Sequence, residues 1–559
     1  MKTKEGCSPE RGVTLFGPDF PFAFDDWLRH PAGLGHVPAS AHGREVAIVG
    51  GGLAGVVAAH ELMKLGLRPV VYESARLGGR LYSHAFEGVE GVVAELGGMR
   101  FPRSSACFYH YVKLLGLSTR AFPNPLSPGA PSTVVDLEGQ TYYAETLADL
   151  PLRFREVANA WDDALEQSVS LNAMKTAIRT RDVATIKRIW NALVPLWDDR
   201  TFYDFIASSP AFARLSFHHR EIFGQVGFGT GGWDSDFSNS MLEILRVVMT
   251  ECEDDQYFLL EGAEQLVRRL WAHAPEKTVY WPAGTSLETL HSGAARPGVR
   301  AIRRVDGDGD LLVVDQWGDA RSYSAVLTTC QSWLLTTQID VDEALFSQKL
   351  WMALDRTRYM QSSKTFVLVD RPFWKEKDKR SGRDVMSMTL TDRNTRGTYL
   401  FDYGDDRPGV ICLSYAWMSD ALKMLPLSVE RRVELGLDAI AKIYPDLDLK
   451  RHIIGNPVAV SWEADPNFLG AFKGALPGHY RYNHRMYGHF IQDGLPPVER
   501  GLFIAGDDVS WTPGWAEGAV QTALNAVWGI TRHFGGETQP DNPGPGDRYA
   551  ELGPVTLPD

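Results

Sequence analysis

Residues 46–73 read VAIVGGGLAGVVAAHELMKLGLRPVVYE. A short apolar run enters Gly50, Gly52 and Gly55, and apolar residues then recur every three or four positions before a second apolar run ends at Glu73. That order predicts a strand, a tight turn, a helix and a second strand. The first glycine permits the turn, the second lets a pyrophosphate approach the backbone, and the third lets helix and strand pack closely. Leu53 and Ala54 open the helix, whose free N–H groups and positive dipole end suit phosphate. Glu73, followed by Ser74, stands where an acid binds a ribose hydroxyl pair. A merely structural glycine turn is the competing reading, but here strand, helix, second strand and acid fall in register. The segment is therefore read as a dinucleotide site.

A chain of 559 residues is too long for one simple core, so two or three intertwined substructures are expected. Sixteen tryptophans favour large buried surfaces or aromatic-lined pockets. A net charge of −13 argues against nucleic acid or an anionic membrane as the main partner. Cys7, Cys107, Cys252, Cys330 and Cys412 are scattered and odd in number, which suits reduced thiols; no zinc-type spacing or other metal motif is present. The N-terminus lacks an apolar signal region, and Val46–Ala59 is too short and glycine-rich to span a bilayer. The expectation is a soluble cytoplasmic protein with no membrane or nucleic-acid partner and no metal.

Residues 1–42 form an aromatic, proline-punctuated arm (FGPDFPFAFDDW) expected to pack onto the body, and residues 536–559 a Pro/Gly/Asp-rich tail expected to lie extended. Apolar spacing predicts helices across 150–222, and KTFVLVD (364–370) and GVICLSYAW (409–417) read as strands of a second sheet. The fold class is α/β: a Rossmann-like dinucleotide domain from 43–110, 252–340 and 490–535, interleaved with a mixed-sheet substrate domain from 111–251 and 341–489 that carries the helical insertion.

After Glu73 come SARLGGRLYS and then AELGGMRF, and near the other end stands LFIAGDDVSW…GWAEGAVQTALNAV. Together these resemble the flavin-dependent amine oxidases, over about residues 45 to 530. The resemblance implies FAD, held without a covalent link. It assigns Gly79, Arg80, Gly98, Met99, Gly506 and Asp507 to the cofactor's pyrophosphate and ribityl chain. The backbone of Val299 would meet the adenine. Trp515, Ala516 and Ala519 belong to a helix start that would face the flavin's pyrimidine edge and stabilise negative charge there.

The same resemblance fills the substrate side. Arg100 offers a planar fork that would clamp a substrate α-carboxylate, with a surface ion pair as the plainer reading. Tyr415 would donate a second hydrogen bond to that carboxylate, though a tyrosine in an apolar strand is more often core. Lys364 would hold a water where oxygen reacts. Trp462, Phe472 and Trp515 would wall the pocket, each with core packing as the alternative. His60, His218 and His219 lack a motif context and read as structural.

GGWDSDF (231–237) sets Asp234 and Asp236 between aromatic rings. A polar turn with a helix cap at Asp236 or Ser238 competes with a receptor for a cation. This stretch, the arm, MLEILRVVMTEC and SWTPGWAEGAVQTALNAVWGI look very like the bacterial L-lysine 2-monooxygenase subgroup. In it, the aspartate matching Asp236 faces the substrate's ε-amine; Asp234 is a second candidate, and Cys252 would lie near the pocket. The implied reaction consumes L-lysine and O2 in a homodimer. An L-amino-acid oxidase, an aromatic 2-monooxygenase and a non-catalytic flavin protein remain alternatives.

Overall fold

The computed structural model describes residues 17–226, 238–305, 309–404 and 406–558. The glycine-rich segment folds in the predicted order, as strand Glu45–Val49, helix Leu53–Lys64 and strand Arg68–Glu73. Glu45–Val49 is the middle strand of a five-stranded parallel sheet, flanked by Arg68–Glu73 and Arg296–Pro297 on one side and Ala325–Thr328 and Leu502–Ile504 on the other. Val46, Ala47 and Ile48 are fully buried, as a parallel strand covered on both faces requires. Helix Ala516–His533 lies against helix Leu53–Lys64 on this layer. Parallel neighbours need long crossovers, and here the crossovers hold most of the molecule.

Those crossovers build a seven-stranded sheet in the order Ile453–Ser461, Ser362–Val369, Gly409–Trp417, Gly397–Phe401, Met388–Thr391, Thr133–Leu137, Gln140–Ala144. All neighbours are antiparallel except Met388–Thr391 with Thr133–Leu137. The two runs read as strands, KTFVLVD and GVICLSYAW, are adjacent in it. The strands they form, Ser362–Val369 and Gly409–Trp417, are buried throughout, with Asp370 exposed just past the first, which explains why they lack polar alternation.

The helical region opens with Leu152–Val169, Leu171–Thr180 and Val183–Trp197. In Val183–Trp197 the buried residues Ile186, Ile189, Trp190, Leu193, Val194 and Trp197 repeat at three- and four-residue steps. Asp182 caps this helix by accepting from the Thr185 N–H at 3.1 Å. Helix Met241–Met249 is capped by Ser240, whose hydroxyl accepts from the Leu242 N–H at 3.3 Å, and not by Ser238. The reason is local: Ser240 is the residue that leaves extended backbone just before the apolar helix begins.

The arm packs Phe20, Phe22, Phe24 and Trp27 into the main core. Phe22 and Phe24 meet edge-on at 4.9 Å, and Phe20 reaches the rings of Tyr487 and Tyr549. The tail, expected to be extended, instead turns and forms the short helix Tyr549–Leu552. Asn542 ties it back to the arm through the carbonyls of Trp27 (3.0 Å) and Gly33 (2.9 Å). Its glycines serve close packing rather than extension, since a Cβ on Gly546 would lie 2.3 Å from the Trp528 ring. Among the described residues no helix is long and apolar enough to cross a membrane.

At Gly55 the helix meets the turn so closely that a Cβ would lie 2.0 Å from the Gly50 carbonyl oxygen and 3.0 Å from Thr329 Oγ1. Gly55→Ala is therefore expected to cost about 1–3 kcal/mol or more of stability by overpacking. It should also lower flavin content after purification. Thermal unfolding and the flavin-to-protein absorbance ratio check this; unchanged values for both would refute the close-approach argument.

Candidate active site

A cavity of about 510 Å³ opens at the carboxyl ends of strands Glu45–Val49 and Arg68–Glu73 and runs to strands Ser362–Val369 and Gly409–Trp417. The carboxyl edge of a parallel sheet is where dinucleotides bind. Gly50 has φ +116°, a conformation that side chains rarely tolerate. Gly52 and Gly79 face each other with bare backbone, a Cβ on Gly52 meeting only the Gly79 Cα at 3.7 Å. Leu53 and Ala54 begin one helix, and Ala516 and Ala519 lie in the first turn of another. Neither helix start has a side-chain cap bond, so both leave N–H groups for an anion.

Glu73 closes this end. Its carboxylate accepts from the Gly51 N–H at 2.7 Å and the Ala75 N–H at 2.8 Å, which holds it at the turn. Ser74 donates to Asn467 at 2.9 Å, and Val299 lies on the same lining. Further along, Arg80 forks onto Asp507, with Nη1 to Oδ2 at 3.3 Å and Nη2 to Oδ1, and also donates to the Ala471 carbonyl at 3.1 Å. Burial pulls the Arg80 guanidinium down, but Asp507 and Asp508 outweigh it and hold it above its ordinary value. Gly98, Met99 and Gly506 complete this stretch. Bare backbone, two uncapped helix starts and an acid at a sheet edge fit the elongated, doubly anionic FAD.

The other end is built by the second sheet. Lys364 and Tyr415 are direct cross-strand partners, and alternation along the strands also brings Ser362 and Trp417 to the cavity. The Lys364 ammonium lies 5.1 Å from the centre of the Tyr415 ring. It donates to the carbonyls of Glu95 (3.1 Å) and Gly97. Burial lowers the Lys364 ammonium to about 8, with Cys412 and Glu95 opposing the shift. Glu95 itself is pushed up to about 7 by burial.

Arg100 approaches the same point, 5.9 Å from the Tyr415 ring centre and 5.7 Å from that of Phe122. Burial disfavours its charge, but Tyr399, Tyr415 and Glu253 more than compensate. Trp462 is locked by donating from Nε1 to the Leu96 carbonyl at 3.0 Å, and Phe472 packs edge-on against Trp417 at 5.5 Å. Cys252 is fully buried, its Sγ 3.3 Å from Thr250 Oγ1. Burial pushes that thiol well up, so it stays neutral.

Of the residues singled out in the sequence, Trp515, Trp462, Cys252 and the others just placed all line this cavity. Gly55 does not; it sits behind the turn. Asp234 and Asp236 lie outside the described residues. Sequence reading missed Glu243, Arg246, Glu253, Lys473 and Trp511, which also line it. The available signal, for two of them, was the three-residue spacing of Glu243 and Arg246 in an otherwise apolar helix, which places them on one face.

A family model described as flavin containing amine oxidoreductase matches residues 53–531. The chain belongs to this family. Its fold is the amine oxidase fold, its cofactor is FAD, and it is a flavin-dependent oxidoreductase. Tryptophan 2-monooxygenase of Pseudomonas savastanoi is 30% identical over 553 aligned positions, covering 91% of this chain and 93% of that protein. An L-amino-acid oxidase of Siganus canaliculatus is 25% identical, covering 89% and 87%. Among solved structures, putrescine oxidase bound to putrescine superposes with a TM-score of 0.63 at 18% identity, covering 87% of this chain and 98% of that one. That last likeness speaks for the fold alone.

The Lys364 shift has a sign that can be checked. Between about pH 8 and 10.5 the unfolded chain holds a proton on this lysine that the folded chain has lost. Stability therefore rises with pH across that window, by at most about 1.4 kcal/mol per pH unit from this group. Lys364→Met should lack this contribution. The difference in urea midpoint between wild type and variant, followed from pH 7 to 10.5, should shift in favour of wild type; a constant difference would refute it.

Proposed function

We propose that the protein is an FAD-dependent L-lysine 2-monooxygenase that converts L-lysine and O2 to 5-aminopentanamide, CO2 and water. The observation that carries the α-amino-acid part of this reading is the convergence of Arg100, Tyr415 and Lys364 in the cavity that also contains the nucleotide cradle. When bound, FAD supplies the acceptor for the electrons of the Cα–H bond and passes them to O2.

The chain's own residues position and protect. The Arg100 fork takes the α-carboxylate, and the Tyr415 hydroxyl gives a second hydrogen bond, so Cα is held in one place. The substrate reacts as its neutral α-amine, and no protein base is required. Lys364 spends two N–H groups on backbone carbonyls, which leaves the third to hold a water. Trp462, Phe472 and Trp515 exclude bulk water, so the imino acid is oxygenated with loss of CO2 before it hydrolyses to a keto acid.

Lysine is favoured by the sequence of the 231–237 stretch. An ammonium inside an aromatic-walled cavity needs a carboxylate partner, because burying it unpaired is costly. Asp236 supplies that partner, with Asp234 as a lesser one. A second reading, an aromatic amino acid, draws on the named tryptophan 2-monooxygenases and on the rings of Trp417, Trp462, Phe472 and Trp511 along the cavity. Release of a keto acid, as in an L-amino-acid oxidase, is the variant of the lysine reading in which the site opens early.

Aerobic incubation with an equimolar mixture of L-lysine, L-ornithine, L-arginine, L-phenylalanine and L-tryptophan, followed by mass spectrometry, separates these readings. The expected result is depletion of lysine and appearance of 5-aminopentanamide. A keto acid or its cyclised imine from lysine would make the enzyme an oxidase, and depletion of an aromatic substrate would overturn the lysine reading. Asp236→Ala should lower kcat/KM for L-lysine by about a hundredfold or more, as loss of a buried charge partner does, while sparing apolar substrates.

A further inference from the structure

Helix Met241–Met249 turns Glu243 and Arg246 toward the cavity, where Thr250 follows at its C-cap, and Arg246 is the least expected of them. Its guanidinium is buried and carries its charge into the wall of the site. The counter-charge comes from the N-terminal arm. Asp19, fully buried, accepts from Arg246 Nε through Oδ2 at 2.6 Å and from Nη2 through Oδ1 at 3.0 Å. The indole N–H of Trp190 donates to the same Oδ1 at 2.9 Å. Lys187 binds the Asp19 carbonyl at 3.5 Å, together with the Leu552 carbonyl at 3.1 Å and that of Gly553 in the tail.

On its other side Arg246 faces groups that line the cavity. Its guanidinium lies 5.0 Å from the ring centre of Trp511, while the Trp190 ring, at 5.3 Å, belongs to the Asp19 cluster and does not line the cavity. It also faces Glu243, one turn earlier on its own helix, which is in turn beside Lys473. Glu243 Oε1 and Trp511 Nε1 are buried and have no hydrogen-bond partner among the described residues. An acceptor and a donor thus stand unsatisfied on residues of the cavity lining next to Arg246. Buried polar atoms without partners in a cavity wall are what a bound ligand or its ordered waters would satisfy.

We propose that Asp19 is a positioning residue for the substrate cavity: its fork on Arg246 fixes the Glu243 and Trp511 wall and so sets how tightly the amino acid is held. A bidentate carboxylate fork fixes a guanidinium plane in a way that one hydrogen bond cannot. The arm is thereby part of the site, although none of its described residues lines the cavity. The proposal rests on the cavity being the one that takes an amino acid.

Asp19→Asn is the direct test. Its Oδ1 keeps the Trp190 bond, while the amide group replacing Oδ2 faces the Arg246 Nε–H donor to donor, so the fork opens. Trp190→Phe is the companion, because it disturbs the same buried cluster and leaves the fork. Each FAD-loaded protein is mixed anaerobically with L-lysine, and loss of flavin absorbance is followed against lysine concentration. Asp19→Asn is expected to raise the apparent Kd at least tenfold while the limiting rate falls less than threefold and flavin content is retained. Trp190→Phe is expected to lower the melting temperature with the Kd within twofold of wild type. An unchanged Kd in Asp19→Asn would overturn the proposal, as would an equal rise in both variants, which would mean general loosening. If another amino acid, and not lysine, reduces the wild-type flavin, the same titration is run with it, and only the lysine reading falls. A wild-type flavin that no amino acid reduces would overturn both.

Discussion

Helix Leu53–Lys64 can lie on strand Glu45–Val49 only because nothing projects from Gly55, where a Cβ would overlap the Gly50 carbonyl. That one close contact places the start of the helix at the sheet edge, with its N–H groups turned to the cavity. The central strand is completed by partners from distant parts of the chain, Ala325–Thr328 and then Leu502–Ile504. The Arg80–Asp507 fork ties the GGR stretch after Glu73 to the turn that follows strand Leu502–Ile504, across 427 positions of sequence. The cofactor cradle is therefore held together by parallel pairing of distant segments, which links the integrity of the whole chain to the site.

The second constraint is the burial of charge. Lys364, Arg246, Lys473 and Glu243 are all buried residues of the cavity lining. Each charge removed from water must be met by hydrogen bonds or by an opposite charge. Lys364 is met by two backbone carbonyls, Lys473 by the Asp508 carbonyl at 2.6 Å, and Arg246 by Asp19. The differing solutions divide the labour. Carbonyls accept hydrogen bonds without cancelling a charge, so Lys364 keeps its field in the cavity, whereas the Asp19 carboxylate cancels the charge of Arg246 and leaves it a mechanical part.

Much of the site was legible because its residues belong to contiguous motifs. Gly50, Gly52 and Glu73 follow from one strand–turn–helix–strand pattern, whereas Arg100, Lys364, Tyr415 and Asp507 are singled out through the family resemblance of the stretches they sit in, and in isolation Tyr415 reads as core. The tail misled because Pro and Gly permit extension and turning alike, and only the fit of Gly546 against Trp528 decides between them. The cap of helix Met241–Met249 misled because several nearby residues were able to serve, and the exit from extended backbone at Ser240 chose among them.

By itself the sequence determined the dinucleotide site and the alternation of sheet and helix, since these depend on spacing within a few tens of residues. Tertiary structure alone decided that Lys364 and Tyr415 are cross-strand neighbours, that Glu253 faces Arg100, and that Asp19 in the arm reaches Arg246 in the cavity wall. Asp19 and Arg246 are 227 positions apart, and no local pattern specifies which acid meets a given arginine. The burial that makes the pair matter exists only once the arm, the helices and the tail have closed over it.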